Sequence, residues 1–318
     1  MRRRTIGVTA ALLAASGIWL INTSWLASQA PNQREFIAHR GAHQTFHHEG
    51  IDGHTCTATR IYEPQHPFVE NTSDSIEAAL DAGASRIELD IRVTADGKFI
   101  VFHDYSLDCR TDGHGLVRDH MLEDLRKLDL GYGYTSDGKS FPLRGTAIGE
   151  LKTVGEMLAA FPDAQFFLDL KDLSHGEGER LAEVLGDREG LWATGTPAGV
   201  RALVEKNPGI RGIVKSDVKQ CLIKYVALGW SGHVPRACRG AAMMVPADFA
   251  PWMWGWPHRF TQRMEQADVA VVVLGPYDGG FSTGVDDVDT LAGLGAFRGF
   301  IWTNEILSMN PSTDPEES

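Results

Sequence analysis

Eight short runs rich in β-branched, aromatic and aliphatic residues recur along the chain, and segments with helical periodicity lie between them. They are "FIAHR" at 36–40, "IELDIRV" at 87–93, "QFFLDLK" at 165–171, "LWAT" at 191–194, "RGIVKS" at 211–216, "AAMMV" at 241–245, "VAVVVLG" at 269–275 and "GFIWT" at 299–303. A strand that passes through a helix before the next strand pairs with it in parallel, and eight such units close on themselves. The alternation therefore predicts an α/β chain folded as a (β/α)8 TIM barrel, with its chemistry at the C-terminal ends of the strands. A chain of 318 residues has room for one such barrel.

Helices are expected at 73–83, 121–128, 154–161, 177–186, 197–206 and 260–267. In the first of them Ile76, Ala79, Leu80 and Gly83 follow the 3.6-residue period behind a Ser73 or Asp74 cap. One run breaks the alternation. "KFIVFH" at 98–103 follows "TADG" with no helix between them, and Asp96-Gly97 is a hairpin turn signal, so this run reads as an antiparallel extension of the second barrel strand. Segment 42–69, a long insert after the first strand, carries His43, His47, His48, His54 and His66 with little periodicity and reads as a solvated lid.

The net charge of −12 argues against a general nucleic-acid-binding or anionic-membrane surface. Residues 1–30 open with Arg2-Arg3-Arg4 and continue into an apolar stretch at 6–21. They are expected to be a signal peptide cleaved after Ala30, or an N-terminal anchor that keeps the protein near a membrane. Either way the domain at 31–306 is exported, to the periplasm or the extracellular space. Four cysteines, Cys56, Cys109, Cys221 and Cys238, suit an oxidising compartment and leave three pairings open. The acidic segment 307–318 is expected to be a disordered tail.

Within the second run, Ile87, Leu89, Ile91 and Val93 share one face while Glu88, Asp90 and Arg92 share the other. An acidic face turned to water would show the same alternation. Turned inward, two carboxylates cost several kcal/mol unless something compensates them. The run at 165–171 adds Asp169 and Lys171 on one face, and an all-oxygen set of this kind suits one divalent cation, Ca²⁺ or Mg²⁺. His39 and Arg40 end the first strand, and His103 ends the hairpin. Two imidazoles beside carboxylates, an Arg and a Lys supply the parts for phosphodiester cleavage. One His removes a proton from the nucleophile and the other protonates the departing alkoxide, while Arg40 and Lys171 hold phosphate oxygens.

As an ordered set, "HRG" at 39–41, "ENT" at 70–72, "ELD" at 88–90, "HD" at 103–104 followed by "LDCRTDG", and "LDLK" at 168–171 resembles the glycerophosphodiester phosphodiesterase family. The resemblance implies a phospholipase C-like phosphodiesterase barrel that binds one divalent cation, Ca²⁺ or Mg²⁺, through Glu88, Asp90 and Asp169. It further implies His39 and His103 as the acid/base pair, Arg40 and Lys171 on the phosphate, and Glu70 and Asn71 lining the site. The implied reaction is metal-dependent hydrolysis of small glycerophosphodiesters from lipid metabolism to glycerol 3-phosphate and an alcohol. There are two departures from the family pattern: Asp169 stands where the family often has Glu, and the insert between Gly41 and Glu70 replaces a short loop. Cys56 in the insert and Cys109 shortly after His103 both fall at the mouth and are the preferred disulfide pair, which leaves Cys221 for Cys238.

Two alternatives share these residues. A phospholipase D-like lyase would act on lysolipids and leave a cyclic phosphate, and a non-catalytic surface barrel would only bind. Trp252, Trp254 and Trp256 in "WMWGW" read as loop packing, with a choline or lipid contact as the other option.

Overall fold

The computed structural model describes residues 2–27, 33–52, 55–278 and 283–309. The expected cleavage position after Ala30, His54 of the insert and the tail from residue 310 lie outside the described residues. Two compact units are present, Phe36–Val214 with Thr303–Ser318, and Met1–Glu35 with Lys215–Trp302.

The first unit holds β1 (Glu35–Ala38, from its second residue on), β2 (Ala84–Val93), β3 (Phe99–Val101), β4 (Phe166–Leu170), β5 (Trp192–Gly195) and β6 (Arg211–Ile213). Its parallel pairs run β1–β2–β4–β5–β6, and β3 lies antiparallel on β2 as the hairpin signal requires. The second unit contributes β7 (Ala242–Pro246), β8 (Ala270–Leu274) and β9 (Phe300–Thr303), again parallel. These eight parallel strands fall on the eight apolar runs, and the fold is the (β/α)8 TIM barrel. Because β2 pairs on both sides, Ile87, Leu89 and Ile91 are fully buried, and so are Glu88 and Asp90 on the opposite face. A water-facing acidic strand is thereby excluded.

Local sequence accounts for the helices. Helix Ser73–Asp81 starts at Thr72, whose side chain accepts from the Ser75 N–H, and helices Val154–Ala160 and His175–Leu185 start in capping boxes made by Thr153 with Glu156 and Ser174 with Glu177. The helix expected at 121–128 contracts to Leu122–Leu125. A helix not expected, Lys215–Leu228, takes over the end of the fifth run, at 211–216. Lys215, Ser216 and Asp217 are too polar to continue a buried strand, and Asp217 suits the first helical turn. The chain also carries an N-terminal helix, Arg2–Asn22; no helix among the described residues is long and apolar enough to cross a membrane.

The insert is not a solvated lid. Phe46, Ala58, Ile61 and Val69 are buried in one cluster with Ile100 of β3 and with Phe102, Leu107, Val117, Leu130 and Tyr134 from the equally irregular stretch that follows it. Two loops without periodicity form a small core together, which neither could do alone. Cys56 pairs with Cys109 across this core at a Cα–Cα distance of 5.4 Å, and Cys221 pairs with Cys238 at 4.8 Å. The chain stays packed as far as Met309, past the expected boundary at 306.

The Cys56–Cys109 bond joins residues 53 positions apart. Replacing both cysteines by Ser is expected to cost about 3 kcal/mol, read as a lower urea midpoint. An unchanged midpoint would mean that the two loops hold each other without it.

Candidate active site

Just after β1 the backbone enters the left-handed region at two consecutive residues, Arg40 with φ 56° and Gly41 with φ 75°. Only glycine fits the second position, since a Cβ there would stand 2.7 Å from Ser75 Oγ and 2.8 Å from Ser75 O. The turn aims the Arg40 N–H at Glu88 Oε2 (3.0 Å) and lets the Ala42 N–H donate to Ser75 O (2.8 Å). Asn71 is left-handed as well, with φ 61°, and its N–H donates to Arg40 O at 3.0 Å. "HRG" and "ENT" are thus the two sides of one backbone crossing. Left-handed non-glycine residues persist where surroundings over-determine them, as at functional sites.

Glu88, Asp90 and Asp169 each offer an oxygen within 4.8 Å of the others, and β-sheet register sets Asp90 beside Asp169. Cations surround them. Lys171 Nζ lies 3.0 Å from Asp90 Oδ1 and pairs closely with Asp169, Arg40 Nε lies 3.4 Å from Asp90 Oδ2, and Asn71 Nδ2 donates to that same oxygen at 2.8 Å. Burial would raise the Asp90 pKa, but Lys171, His103 and Arg40 hold it well below the usual carboxylate range. Glu88 goes the other way, pushed well up by burial and by the Asp90 charge. One negative charge is therefore in excess. Asp90 Oδ1 is buried, makes no hydrogen bond and has the Lys171 ammonium as an ionic neighbour at 3.0 Å. That open lone pair and the all-oxygen donor set fit a hard divalent cation held by Glu88, Asp90 and Asp169.

The two histidines are oriented differently. His39 Nδ1 donates to Asn304 Oδ1 at 2.6 Å, one residue past β9, which leaves Nε2 with its lone pair, 3.2 Å from Arg40 Nε. Burial and the Arg40 charge push the His39 pKa well below its ordinary value. His103 Nδ1 contacts Asp104 Oδ1 at 2.6 Å, and Asp104 pairs with Arg110 Nε at 2.8 Å. Burial and Arg40 lower His103 too, against the pull of Asp90 and Asp104. Arg110 also donates to Glu70 Oε2 (2.9 Å), Tyr134 Oη (2.9 Å) and Thr57 Oγ1 (2.7 Å), and Arg40 Nη1 binds the other Glu70 oxygen at 3.0 Å. Glu70 is consequently a buried hinge between two arginines, held ionised by Arg110 and Arg40 against the effect of burial.

All nine residues singled out for catalysis, phosphate and metal meet here: His39, Arg40, Glu70, Asn71, Glu88, Asp90, His103, Asp169 and Lys171. Sequence reasoning missed Asp104, Arg110, Tyr134 and Asn304. Asp104 and Arg110 were quoted within a motif without roles, and a polar residue directly after the last strand was the available signal for Asn304. His43, grouped with the lid, is instead buried edge-on against His39, with ring centroids 5.2 Å apart, and its pKa falls to about 4 through burial and Arg40.

Residues 39–175 match the model of the glycerophosphoryl diester phosphodiesterase family. A glycerophosphodiester phosphodiesterase of Caldanaerobacter subterraneus subsp. tengcongensis is 36% identical over 102 residues, 32% of this chain and 39% of that protein. One of Bacillus subtilis is 31% identical over 186 residues, 57% of this chain and 54% of its own length. The chain thus spans about half or less of these curated relatives. Among solved structures, the glycerophosphoryl diester phosphodiesterase domain of an uncharacterized Mycobacterium tuberculosis protein aligns with a TM-score of 0.62 at 20% identity, covering 89% of this chain and 100% of that one. An Oleispira antarctica phosphodiesterase in complex with its product sn-glycerol-3-phosphate aligns with a TM-score of 0.52 at 19% identity, over 86% and 94% of the two chains.

Since Glu88 must shed its proton to ligate, Ca²⁺ or Mg²⁺ affinity measured by calorimetry should tighten as pH rises and each binding event should release protons. Asp90→Asn should weaken binding at least about tenfold. Binding unaffected by both pH and this substitution would remove the carboxylate trio from consideration as a metal site.

Proposed function

We propose, from the match of residues 39–175 to the glycerophosphoryl diester phosphodiesterase family, that the chain is a member of it and hydrolyses glycerophosphodiesters to glycerol 3-phosphate and an alcohol. The observation that carries this reading is the unequal pair of imidazoles at one carboxylate cluster. His39 leans on a neutral amide, whose pull toward the imidazolium is outweighed by burial and by Arg40, so it stays a neutral base. Its Nε2 accepts from Arg40 Nε at 3.2 Å and would take the proton of the attacking hydroxyl once Arg40 turns to the phosphate. His103 leans on the Asp104 carboxylate, which favours the charged ring and suits the proton donor to the leaving alkoxide. Arg110 keeps that carboxylate in place and ionised, so His103 is held in one orientation.

Arg40 and Lys171 are the phosphate contacts in this proposal. Both reach Asp90, and both would face the non-bridging oxygens of a diester bound over it. A bound Ca²⁺ or Mg²⁺ would polarise the phosphoryl oxygen and neutralise developing charge. Glu70 and Asn71 orient Arg40 and Asp90. The attacking group is water, which gives glycerol 3-phosphate directly, or the vicinal glycerol hydroxyl, which expels the alcohol to form a cyclic phosphate that water then opens to glycerol 3-phosphate. Either nucleophile would give its proton to the same Nε2. A protein that only binds has no use for an imidazole pair tuned in this way. Two disulfides agree with an exported protein, since such bonds persist in oxidising compartments.

The test follows glycerol 3-phosphate release from glycerophosphocholine by the full chain, with EDTA and then with Ca²⁺ or Mg²⁺ restored. Release should stop with EDTA and return with a cation, and His39→Ala and His103→Ala should each lose roughly 10²–10⁴ in kcat. A cyclic phosphate in place of glycerol 3-phosphate would favour the lyase, and turnover intact in both His variants would end the acid/base assignment. Because burial and Arg40 lower the His39 pKa, the ring remains neutral until the pH drops through that lowered value. The acid limb of kcat/KM should accordingly fall below pH 6.5, the ordinary imidazole value. A limb centred above that pH would contradict the His39 role.

A further inference from the structure

The N-terminal helix Arg2–Asn22 is locked to the body of its own unit by side chains at its end. Arg263, only 8% exposed, donates from Nη2 to Ile21 O (2.7 Å) and from Nη1 to Asn22 Oδ1 (2.9 Å). Asn22 Nδ2 donates to Trp230 O at 2.8 Å, and Ser24 Oγ lies 2.8 Å from both Gly255 O and Trp256 O. Arg259 donates to Leu26 O at 3.2 Å. Removing residues 1–30 would leave the Arg263 Nη1 with Gly229 O, Tyr225 Oη and Trp254 O but would take Ile21 O from its Nη2, and it would uncover three backbone carbonyls. An unsatisfied buried donor is destabilising, which favours retention of the segment.

The rest of the helix has no cover. Ile6, Val8, Leu12, Leu13, Trp19, Leu20 and Ile21 are all exposed, Leu13 by 70%. At 100° per residue these side chains spread over roughly 220° of the helix circumference, an arc wider than the stripe that a groove covers. A protein groove covers a narrow stripe of a helix, whereas a helix lying in the lipid interface buries a wide arc without crossing the bilayer. Aromatic rings gather where the helix meets the body. Trp19 and Trp25 meet edge to face at 6.5 Å, Trp19 and Trp254 border a groove of about 390 Å³, and Trp254 Nε1 donates to Val226 O at 2.9 Å. Trp25 is 89% and Trp252 81% exposed, and Trp230, whose carbonyl takes part in the lock, is exposed as well. Trp prefers the membrane–water boundary, where its apolar ring and its N–H are both satisfied. The stretch 215–263 that carries these rings holds seven Lys and Arg against two Asp and Glu, in a chain of net charge −12. That local excess suits anionic headgroups.

We propose that the N-terminal segment is retained as a membrane anchor, locked to the body through Asn22, Ser24 and Arg263, and that Trp19, Trp25, Trp230, Trp252 and Trp254 form a collar seated in the interface of an anionic bilayer. This stands apart from the catalytic reading and survives its failure.

Two measurements on the full chain test it. After bacterial expression, mass spectrometry of the membrane pellet washed with carbonate should find the peptide that runs from residue 5 through to Arg34 intact. A mature protein beginning at or near Pro31 would overturn the anchor. In phosphatidylglycerol vesicles with brominated acyl chains, tryptophan emission should be quenched, and Trp25→Tyr with Trp252→Tyr should cut that quenching by roughly twofold. Quenching unchanged in the double variant would overturn the collar. So would lipid-free dimers that dissolve in the double variant, since they would assign the rings to a protein contact.

Discussion

Three carboxylates packed within 4.8 Å of one another inside a sheet are the arrangement on which the rest of the site depends. Their mutual repulsion and loss of hydration would destabilise any fold that did not answer them. Lys171 and Arg40 answer Asp90 directly, and Asn71 adds a hydrogen bond. Glu88 is left to carry the excess by holding its proton at higher pH. The neighbouring groups follow from this need. Arg40 reaches Asp90 only because its backbone is left-handed, and that conformation is secured by the glycine after it and by Asn71 across the turn.

A second layer of charge is built from the insert. Arg110 binds Asp104, Glu70 and Tyr134, and Thr57 of the insert takes its remaining edge. Residue 109 before it and residue 56 before Thr57 are the disulfide pair. The bond therefore ties down the two chain segments that meet at this arginine. The insert is better understood as a wall of the site than as a cover over it. Its apolar residues face another loop segment, and its polar ones join the network beneath His103.

Much of this was legible in one dimension because it rests on short-range chemistry. The period-2 run at 87–93 set Glu88 and Asp90 on one face, and pairing with β1 and β4 turned that face inward. The ordered motifs marked "HRG" and "ENT" without showing that they hold one another. Asn304 was invisible for another reason. Its partner His39 is at the far end of the chain, and no periodicity links residues that meet only after the strands have paired. The insert misled in the opposite direction, since buried loops lack the regular spacing by which a core is recognised in sequence.

The sequence by itself determined the strand–helix alternation, the placing of Glu88 and Asp90 on one strand face, the basic residues at strand ends and the presence of an apolar N-terminal segment, because each is a local pattern of side chains along a chain of known geometry. Tertiary structure alone decided which histidine leans on an amide and which on a carboxylate, that Glu70 is shared by two arginines, and that Asn22 and Ser24 lock to Arg263 and the carbonyls around it. Those choices depend on distances between residues far apart in sequence, and electrostatics and hydrogen bonding act over a few ångströms of space irrespective of the length of chain between the partners.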